Sequence, residues 1–276
     1  MRKLDRLGWT AGLTYRSYGV RFGVRTDSAA LLERLAEFLP PGTKEAAPGF
    51  VERLYSIRTG EGGDVRNAGR GLRRFLLLYA DHVRLARTVD VGELFERFES
   101  DLQLSVAAAA RRRVFVHAGV VGWRGRAVVI PGRSFSGKTT LTAELLKAGA
   151  TYYSDEFAVL DEEGRVHPFR KPLAVRAEGG RQQKVSAEEF GGRGADAPLP
   201  VGLVVVSEFR EGARFRPRTL TPGQGSLALL ANTVPARTRP AEVLDTLGRV
   251  VRGAIVLRGA RGEAAEAARS ILERAS

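Results

Sequence analysis

The chain contains no cysteine. Disulfides, thiolate nucleophiles and Cys-ligated zinc are therefore all excluded. Histidine is nearly as scarce: His82, His117 and His167 are too few for a His-rich metal site. Long hydrophobic runs are missing too. The longest, such as Phe75 to Ala80, fall far short of the roughly 20 residues that cross a bilayer. Met1 to Arg6 leads into no long apolar stretch, so no signal peptide is predicted. The expectation is a soluble, cytoplasmic protein with no membrane partner. Lysine is confined to Lys3, Lys44, Lys138, Lys147, Lys171 and Lys184, so a net charge of +13 is carried mostly by arginine. The arginines are dispersed, and no basic block interleaved with aromatics appears. An anionic partner and a GC-rich coding bias explain that charge equally well, and the pattern does not favour nucleic acid.

What is present is enough for a substantial core: 276 residues, of which 43% are hydrophobic. The most informative stretch is Gly132-Arg133-Ser134-Phe135-Ser136-Gly137-Lys138-Thr139. It fits G-x-x-x-x-G-K-[ST], a loop whose glycines let successive N–H groups turn inward onto an anion. Lys138 is placed to reach the β- and γ-phosphates, and the Thr139 hydroxyl to hold Mg²⁺. Ala127 to Ile130 precedes the loop as a buried strand. Thr140 to Lys147 follows as a helix, with Leu141, Leu145 and Leu146 on one face. The helix N-terminus adds partial positive charge where phosphates would lie. Gly132, Ser134 to Thr139 and Thr140 are thus candidate nucleotide-binding residues, with ATP and Mg²⁺ as the implied cofactors.

Around this loop the pattern predicts a small α+β N-terminal domain over 1–110 and an α/β domain over 111–276. Residues 11–25 read as a strand pair or one long strand. Ser28 is a candidate helix cap, and Phe50 to Ile57 reads as a strand. Residues 60–71 read as a loop. Leu76 to Tyr79 and Val83 to Ala86 form a predicted hairpin, with His82 exposed in its turn. Asp90 opens a long helix predicted to run through Arg111-Arg112-Arg113, where the cations would complement its dipole. Val114 to Val121 reads as a strand. Thr151 to Leu160 reads as one continuous strand after the loop helix. Residues 177–198, rich in glycine and polar groups, predict a mobile loop beside the site. Beyond them come strands at Val201 to Val206, Phe215 to Leu220 and Ala254 to Leu257, and helices beginning near Ser226, Pro240 and Gly262.

Phosphoryl transfer needs more than a loop. It requires a further metal ligand, a group that orients or deprotonates the acceptor, and cations for the developing charge. Asp155-Glu156 is the best acidic pair, since in a parallel core the strand after the loop helix ends near the phosphates. Neighbours on an extended strand point to opposite faces, so one of the two is expected to face the metal unless the strand bends. Asp155 is favoured. His117, on the strand before the loop strand, is a candidate. Arg170 and Lys171 are candidates for substrate or phosphate contact, set against a plain surface reading.

In this order and spacing, Val116-His117-Ala118-Gly119-Val120-Val121, Gly132 to Thr139, and Tyr153-Ser154-Asp155-Glu156 resemble the catalytic domain of HPr kinase/phosphorylase. The match covers about fifty residues. The resemblance implies a P-loop kinase domain of that type, with Thr139 and Asp155 on the Mg²⁺ side. It also implies a carboxylate of the doublet as base for a substrate serine, and His117 as that base's supporting partner. The family has two Asp where this chain has Asp155 and Glu156, so the base is open between them. The family's E-x-R-G-x-G segment is absent, and Arg170-Lys171-Pro172-Leu173 stands roughly in its place. The N-terminal region is more similar to shorter HPr-kinase-related proteins, including those that phosphorylate serine on ribosomally made peptides. The expected partner is accordingly a protein or peptide substrate, and the resemblance implies homo-oligomeric assembly. Two other readings remain: a kinase acting on a small metabolite, and a non-catalytic nucleotide-gated binding module.

Overall fold

The computed structural model describes residues 2–59, 75–132, 136–176 and 182–275. The loop expected at 60–71 therefore lies outside the described residues, as do Ser134 and Phe135 of the glycine loop. The chain is mixed α/β and divides into two compact units, Met1–Arg111 and Arg112–Ser276.

The first unit opens with a single helical turn, α1 (Arg2–Asp5). It then builds one six-stranded sheet in the order β3-β1-β2-β4-β5-β6. β1 (Ala11–Ser17) and β2 (Val20–Thr26) form a hairpin that turns at Tyr18 and Gly19, both at positive φ. Helix α2 (Ala29–Leu35) follows, with Ser28 at its N-cap but no hydrogen bond from the side chain. β3 (Lys44–Ala46) pairs with β1, and β4 (Arg53–Arg58) lies parallel to β2. β5 (Leu76–Ala80) and β6 (Val83–Thr88) form a hairpin around Asp81 and the exposed His82. Asp90 caps α3 (Val91–Ala109) by accepting from the Gly92 N–H at 2.7 Å. That helix buries Leu94, Phe95, Phe98 and Leu102. It stops at Ala109, so the arginine triplet lies past its end, and Arg112 turns the chain with φ 63°.

In the second unit an eight-stranded sheet carries helices on both faces. β7 (Val114–Trp123) and β8 (Arg126–Pro131) form a hairpin over Arg124 and Gly125. α4 (Lys138–Lys147) follows the glycine loop. β9 (Thr151–Ser154) and β10 (Phe157–Leu160) both pair antiparallel with β7. The chain continues through β11 (Arg165–His167), β12 (Leu173–Arg176), β13 (Gln182–Val185), β14 (Leu199–Phe209) and β15 (Arg218–Thr219). It closes with α5 (Pro222–Leu230), α6 (Pro240–Gly253), β16 (Ile255–Arg261) and α7 (Ala264–Arg274). The strand alternation splits the core in two, because side chains of period two face opposite ways. Ala127, Val129 and Val204 pack with Val243, Leu247 and Val251 of α6. Val128, Ile130, Leu203 and Val205 pack with Leu141 and Leu145 of α4 and Ile271 of α7. Sheets covered on both faces are written in near-continuous apolar runs, which is why Ala127 to Ile130 and Val201 to Val206 were legible as buried strands.

Strand direction decides where the chemistry gathers. β14 runs parallel to β8 and to β16. β7 is antiparallel to β8, and β9 is antiparallel to β7, so β9 runs with β8. The core is therefore mixed rather than wholly parallel. Even so, Pro131, Ser154, Phe209 and Arg261 end their strands at one edge.

Three further expectations change. The single strand over Thr151 to Leu160 is broken at Asp155 and Glu156. The strand at Phe215 to Leu220 is reduced to Arg218–Thr219. The loop expected over 177–198 is largely ordered. β13 pairs with β12 as a hairpin, Ala187–Phe190 forms a 3₁₀ turn, and residues 193–195 hydrogen-bond beside Tyr152. Residues 177–181 lie outside the described residues. Polar, glycine-rich composition concealed the hairpin, since its partners are held by backbone hydrogen bonds that composition does not signal.

In the first unit, the fully buried Tyr55 donates its hydroxyl to Asp101 at 2.7 Å, and Asp101 also binds Arg53 at 3.0 Å. Tyr55→Phe removes a hydrogen bond to a charged group. It is expected to destabilise this unit by about 1–2 kcal/mol in urea denaturation.

Candidate active site

The edge where β8 and β9 end forms a cavity of about 480 Å³. Lys138 and Thr139 at the start of α4, Asp155 and Glu156 at the strand break, and His117 of β7 line one end. Ala143, Glu144 and Lys147 of α4 continue along its side, facing Val175, Arg176 and Phe190.

Helix α4 begins where the glycine loop ends. Gly137 is its N-cap, in the left-handed region at φ 79°. A Cβ there would be strained and would also collide with Arg261 Nη2. Behind the helix, the strand must come close: a Cβ on Gly119 would sit 2.5 Å from Thr142 Oγ1. This explains a glycine in the middle of β7, where sequence pattern alone asks for a side chain.

The strand break has a local cause. Ser154 is fully buried, and its Oγ accepts from the N–H groups of Glu156 at 3.1 Å and Phe157 at 2.9 Å. This hydroxyl turn holds the two N–H groups where the strand is interrupted. The expectation that only one carboxylate would face the site rested on an unbent strand. With the bend, both Asp155 and Glu156 line the cavity.

Asp155 Oδ2 accepts from Thr139 Oγ1 at 2.7 Å, which ties the strand break to the first turn of α4. Asp155 Oδ1 is buried with no hydrogen-bond partner, as is Thr142 Oγ1. Burial pushes the Asp155 carboxyl up to about 6; the Thr139 hydroxyl and Lys138 pull it down, and Glu156 pushes it further up. Glu156 is half-exposed, with Oε1 at 3.7 Å from His117 Nδ1. The His117 ring lies against Phe157, centroid to centroid 4.6 Å. Burial lowers its pKa, and the Lys138 cation lowers it further, so the imidazole is neutral at pH 7. Lys138 is itself lowered by burial, against the pull of Asp155 and Glu156.

The donor set fits a magnesium ion. Mg²⁺ takes one or two protein oxygens and completes its shell with phosphate and water. Thr139 Oγ1 and Asp155 offer those oxygens, and Asp155 Oδ1 is buried without a hydrogen bond, near the Thr142 hydroxyl, which also pulls the carboxyl down. Among the described residues no group of three or more His, Asp or Glu gathers in a way that could hold a metal unaided.

The sequence candidates are not all in this cavity. His117, Gly137, Lys138, Thr139, Thr140, Asp155 and Glu156 line it. Gly132 and Ser136 flank the loop, and a Cβ on Gly132 would sit 2.6 Å from Ser136 Oγ. Ser134 and Phe135 lie outside the described residues. Arg170 and Lys171 are not lining residues. Arg170 pairs with Asp196 at 3.1 Å, and the Lys171 carbonyl accepts from the Tyr152 hydroxyl at 2.5 Å. Among the described residues, Lys147 and Arg176 are the cations that line the cavity besides Lys138. A more consequential cation went unread in the sequence. Arg261, 3% exposed, donates to the carbonyl of Gly137 at 2.9 Å and reaches that of Ser136 at 3.4 Å. No local pattern pointed to it, because its partners are backbone atoms more than 120 residues away.

No protein-family model matches the chain, and no curated protein matches it. Among solved structures it is similar to the HPr(Ser) kinase/phosphatase from Coxiella burnetii, at 15% identity, 58% coverage of this chain, 93% of that one and a TM-score of 0.33. With identity and score that low, the reading of the site stands on its own geometry. No helix among the described residues is long and apolar enough to cross a membrane.

The raised Asp155 carboxyl makes a prediction whose sign is set by linkage. In the unfolded chain it ionises near 3.8; in the folded chain the charge is disfavoured up to about 6. Its cost is thus fully present above pH 6 and disappears below pH 3.8. Asp155→Asn is expected to stabilise the ligand-free protein at pH 8 by on the order of 1–3 kcal/mol, and to lose that gain as the pH falls to 4. Thermal melts at the two pH values check this; a lower Tm for the variant at pH 8 contradicts it.

Proposed function

We propose that the chain is an ATP- and Mg²⁺-dependent kinase of the HPr kinase type, transferring the γ-phosphoryl group to a serine hydroxyl of a protein or peptide. The observation that carries this reading is the 2.7 Å hydrogen bond from Thr139 to Asp155. It couples a G-x-x-x-x-G-K-[ST] loop helix to an acidic strand end, the pairing that phosphoryl transfer on a P-loop uses.

In this reading the loop amides and Lys138 hold the β- and γ-phosphates. Thr139 and Asp155 would hold the metal ion, which when bound would supply positive charge to the phosphate oxygens. Since this reading assigns Asp155 to the metal, Glu156 would take the acceptor's proton. His117, whose pKa burial lowers and which lies 3.7 Å from Glu156 Oε1, would support that carboxylate by closing to hydrogen-bond distance. In this reading the base would be the second member of the doublet. Most of the catalytic effect would come from positioning and charge rather than covalent chemistry.

A cavity of about 480 Å³ also lies within the size range of small-molecule sites, which favours a metabolite hydroxyl as the second reading for the acceptor.

Incubation of the full chain with γ-labelled ATP, Mg²⁺ and either serine peptides or small hydroxyl compounds tests both readings. Label is expected on peptide serine in the parent. Lys138→Ala and Glu156→Gln should each lower transfer by about a hundredfold or more, on the scale of losing a general base or a phosphate clamp. Transfer in both variants equal to that of the parent removes the proposed mechanism. Label on small hydroxyl compounds alone moves the acceptor to the second reading.

A further inference from the structure

Arg261 ends β16 at the same sheet edge as the glycine loop. Its main chain is fixed: its carbonyl accepts from the Arg210 N–H at 2.9 Å, and it pairs with Phe209 in the parallel ladder. The side chain is buried, and its guanidinium lies 5.7 Å from the centroid of the Phe209 ring. Nη2 donates to Gly137 O at 2.9 Å and reaches Ser136 O at 3.4 Å; Nη1 reaches Gly262 O at 3.3 Å. Nε is buried with no partner. Among the described residues no carboxylate forms a salt bridge with it; Glu263 acts only through space, and burial lowers its pKa.

A buried cation held by carbonyls alone is costly, since transfer from water is repaid by neutral dipoles rather than by an opposite charge. Such an arrangement needs a reason beyond packing. The peptide geometry supplies one. Carbonyl and N–H of a peptide unit point in opposite directions because the unit is planar. Holding the carbonyls of Ser136 and Gly137 against Arg261 therefore aims the N–H groups of Gly137 and Lys138 away from it. Those are the amides at the first turn of α4, where an anion would be bound. Gly137 suits this contact: its φ of 79° favours glycine, and a Cβ there would displace the guanidinium.

We propose that Arg261 is a positioning residue for triphosphate binding: it clamps the outward carbonyls of the loop, fixes its amide donors toward the phosphates, and adds a positive charge behind them. The inference rests on reading the loop as a phosphate site, but not on the identity of the acceptor. Arg261 does not touch the nucleotide; it acts through the backbone of residues 136–138.

The test uses the full chain, inorganic tripolyphosphate with Mg²⁺ as the probe, and no acceptor. Calorimetry gives the affinity, thermal melts the fold, and amide exchange the protection of residues 137–140. Arg261→Met is expected to bind tripolyphosphate at least tenfold more weakly and to exchange those amides faster, with an unchanged or higher Tm in the absence of ligand. Arg261→Lys, which keeps charge but cannot span both carbonyls, should fall between the two. Binding within twofold of the parent in Arg261→Met overturns the inference. Should Arg261→Met not fold, Arg261→Lys decides: at least threefold weaker binding supports the clamp, and equal binding overturns it. A parent that binds tripolyphosphate while no peptide or metabolite is phosphorylated leaves the clamp standing and removes only the kinase reading. A parent that fails to bind tripolyphosphate removes both.

Discussion

The hydrogen bond from Thr139 to Asp155 joins two segments that the sheet brings to one edge. On one side is the first turn of α4, which starts at a left-handed glycine. On the other is a strand interrupted by the hydroxyl of Ser154. Without the interruption, Asp155 and Glu156 would face opposite sides of the sheet. Without the early start of α4, Thr139 would not meet the carboxylate. The rest of the second unit serves this junction: the parallel course of β8, β9, β14 and β16 ends all four strands beside it, and the helices on either face bury the apolar sides of those strands.

The junction is held at a cost, as sites that bind ions commonly are. A carboxylate oxygen is buried without a donor, and the carboxyl is pushed up to about 6. A guanidinium is buried against carbonyls. Lys138 is lowered by burial. These are groups whose environment disfavours their own charge until an opposite one arrives. Phosphate and a divalent cation are the partners that would relieve all three together, the phosphates answering Lys138 and Arg261 and the cation answering Asp155.

Much of this was legible in the sequence where a local rule operates. Alternation and apolar runs marked the buried strands, Asp90 marked the start of α3, and the glycine spacing marked the loop before α4. The spacing of His117, Lys138, Thr139, Asp155 and Glu156 anticipated residues that do line one cavity. Where backbone partners decide, legibility ended. Ser154 holds two N–H groups where its strand is interrupted. The β12–β13 hairpin is sustained by main-chain pairing under a loop-like composition. Arg261 finds its partners across more than 120 residues. Arg170 and Lys171 show the converse: closeness in sequence to the acidic pair does not bring them into the cavity lining; Arg170 instead pairs with Asp196, and the Lys171 carbonyl accepts from the Tyr152 hydroxyl.

The central claim is that a metal-bound triphosphate sits at the Thr139–Asp155 junction. A crystal structure of the full chain with Mn²⁺ and a non-hydrolysable ATP analogue, with the metal located by anomalous scattering, tests it most directly. The account predicts the metal beside Thr139 Oγ1 and the Asp155 carboxylate, with the phosphates on the amides at the start of α4. A metal located away from both residues, or a nucleotide that leaves those amides untouched, would contradict it.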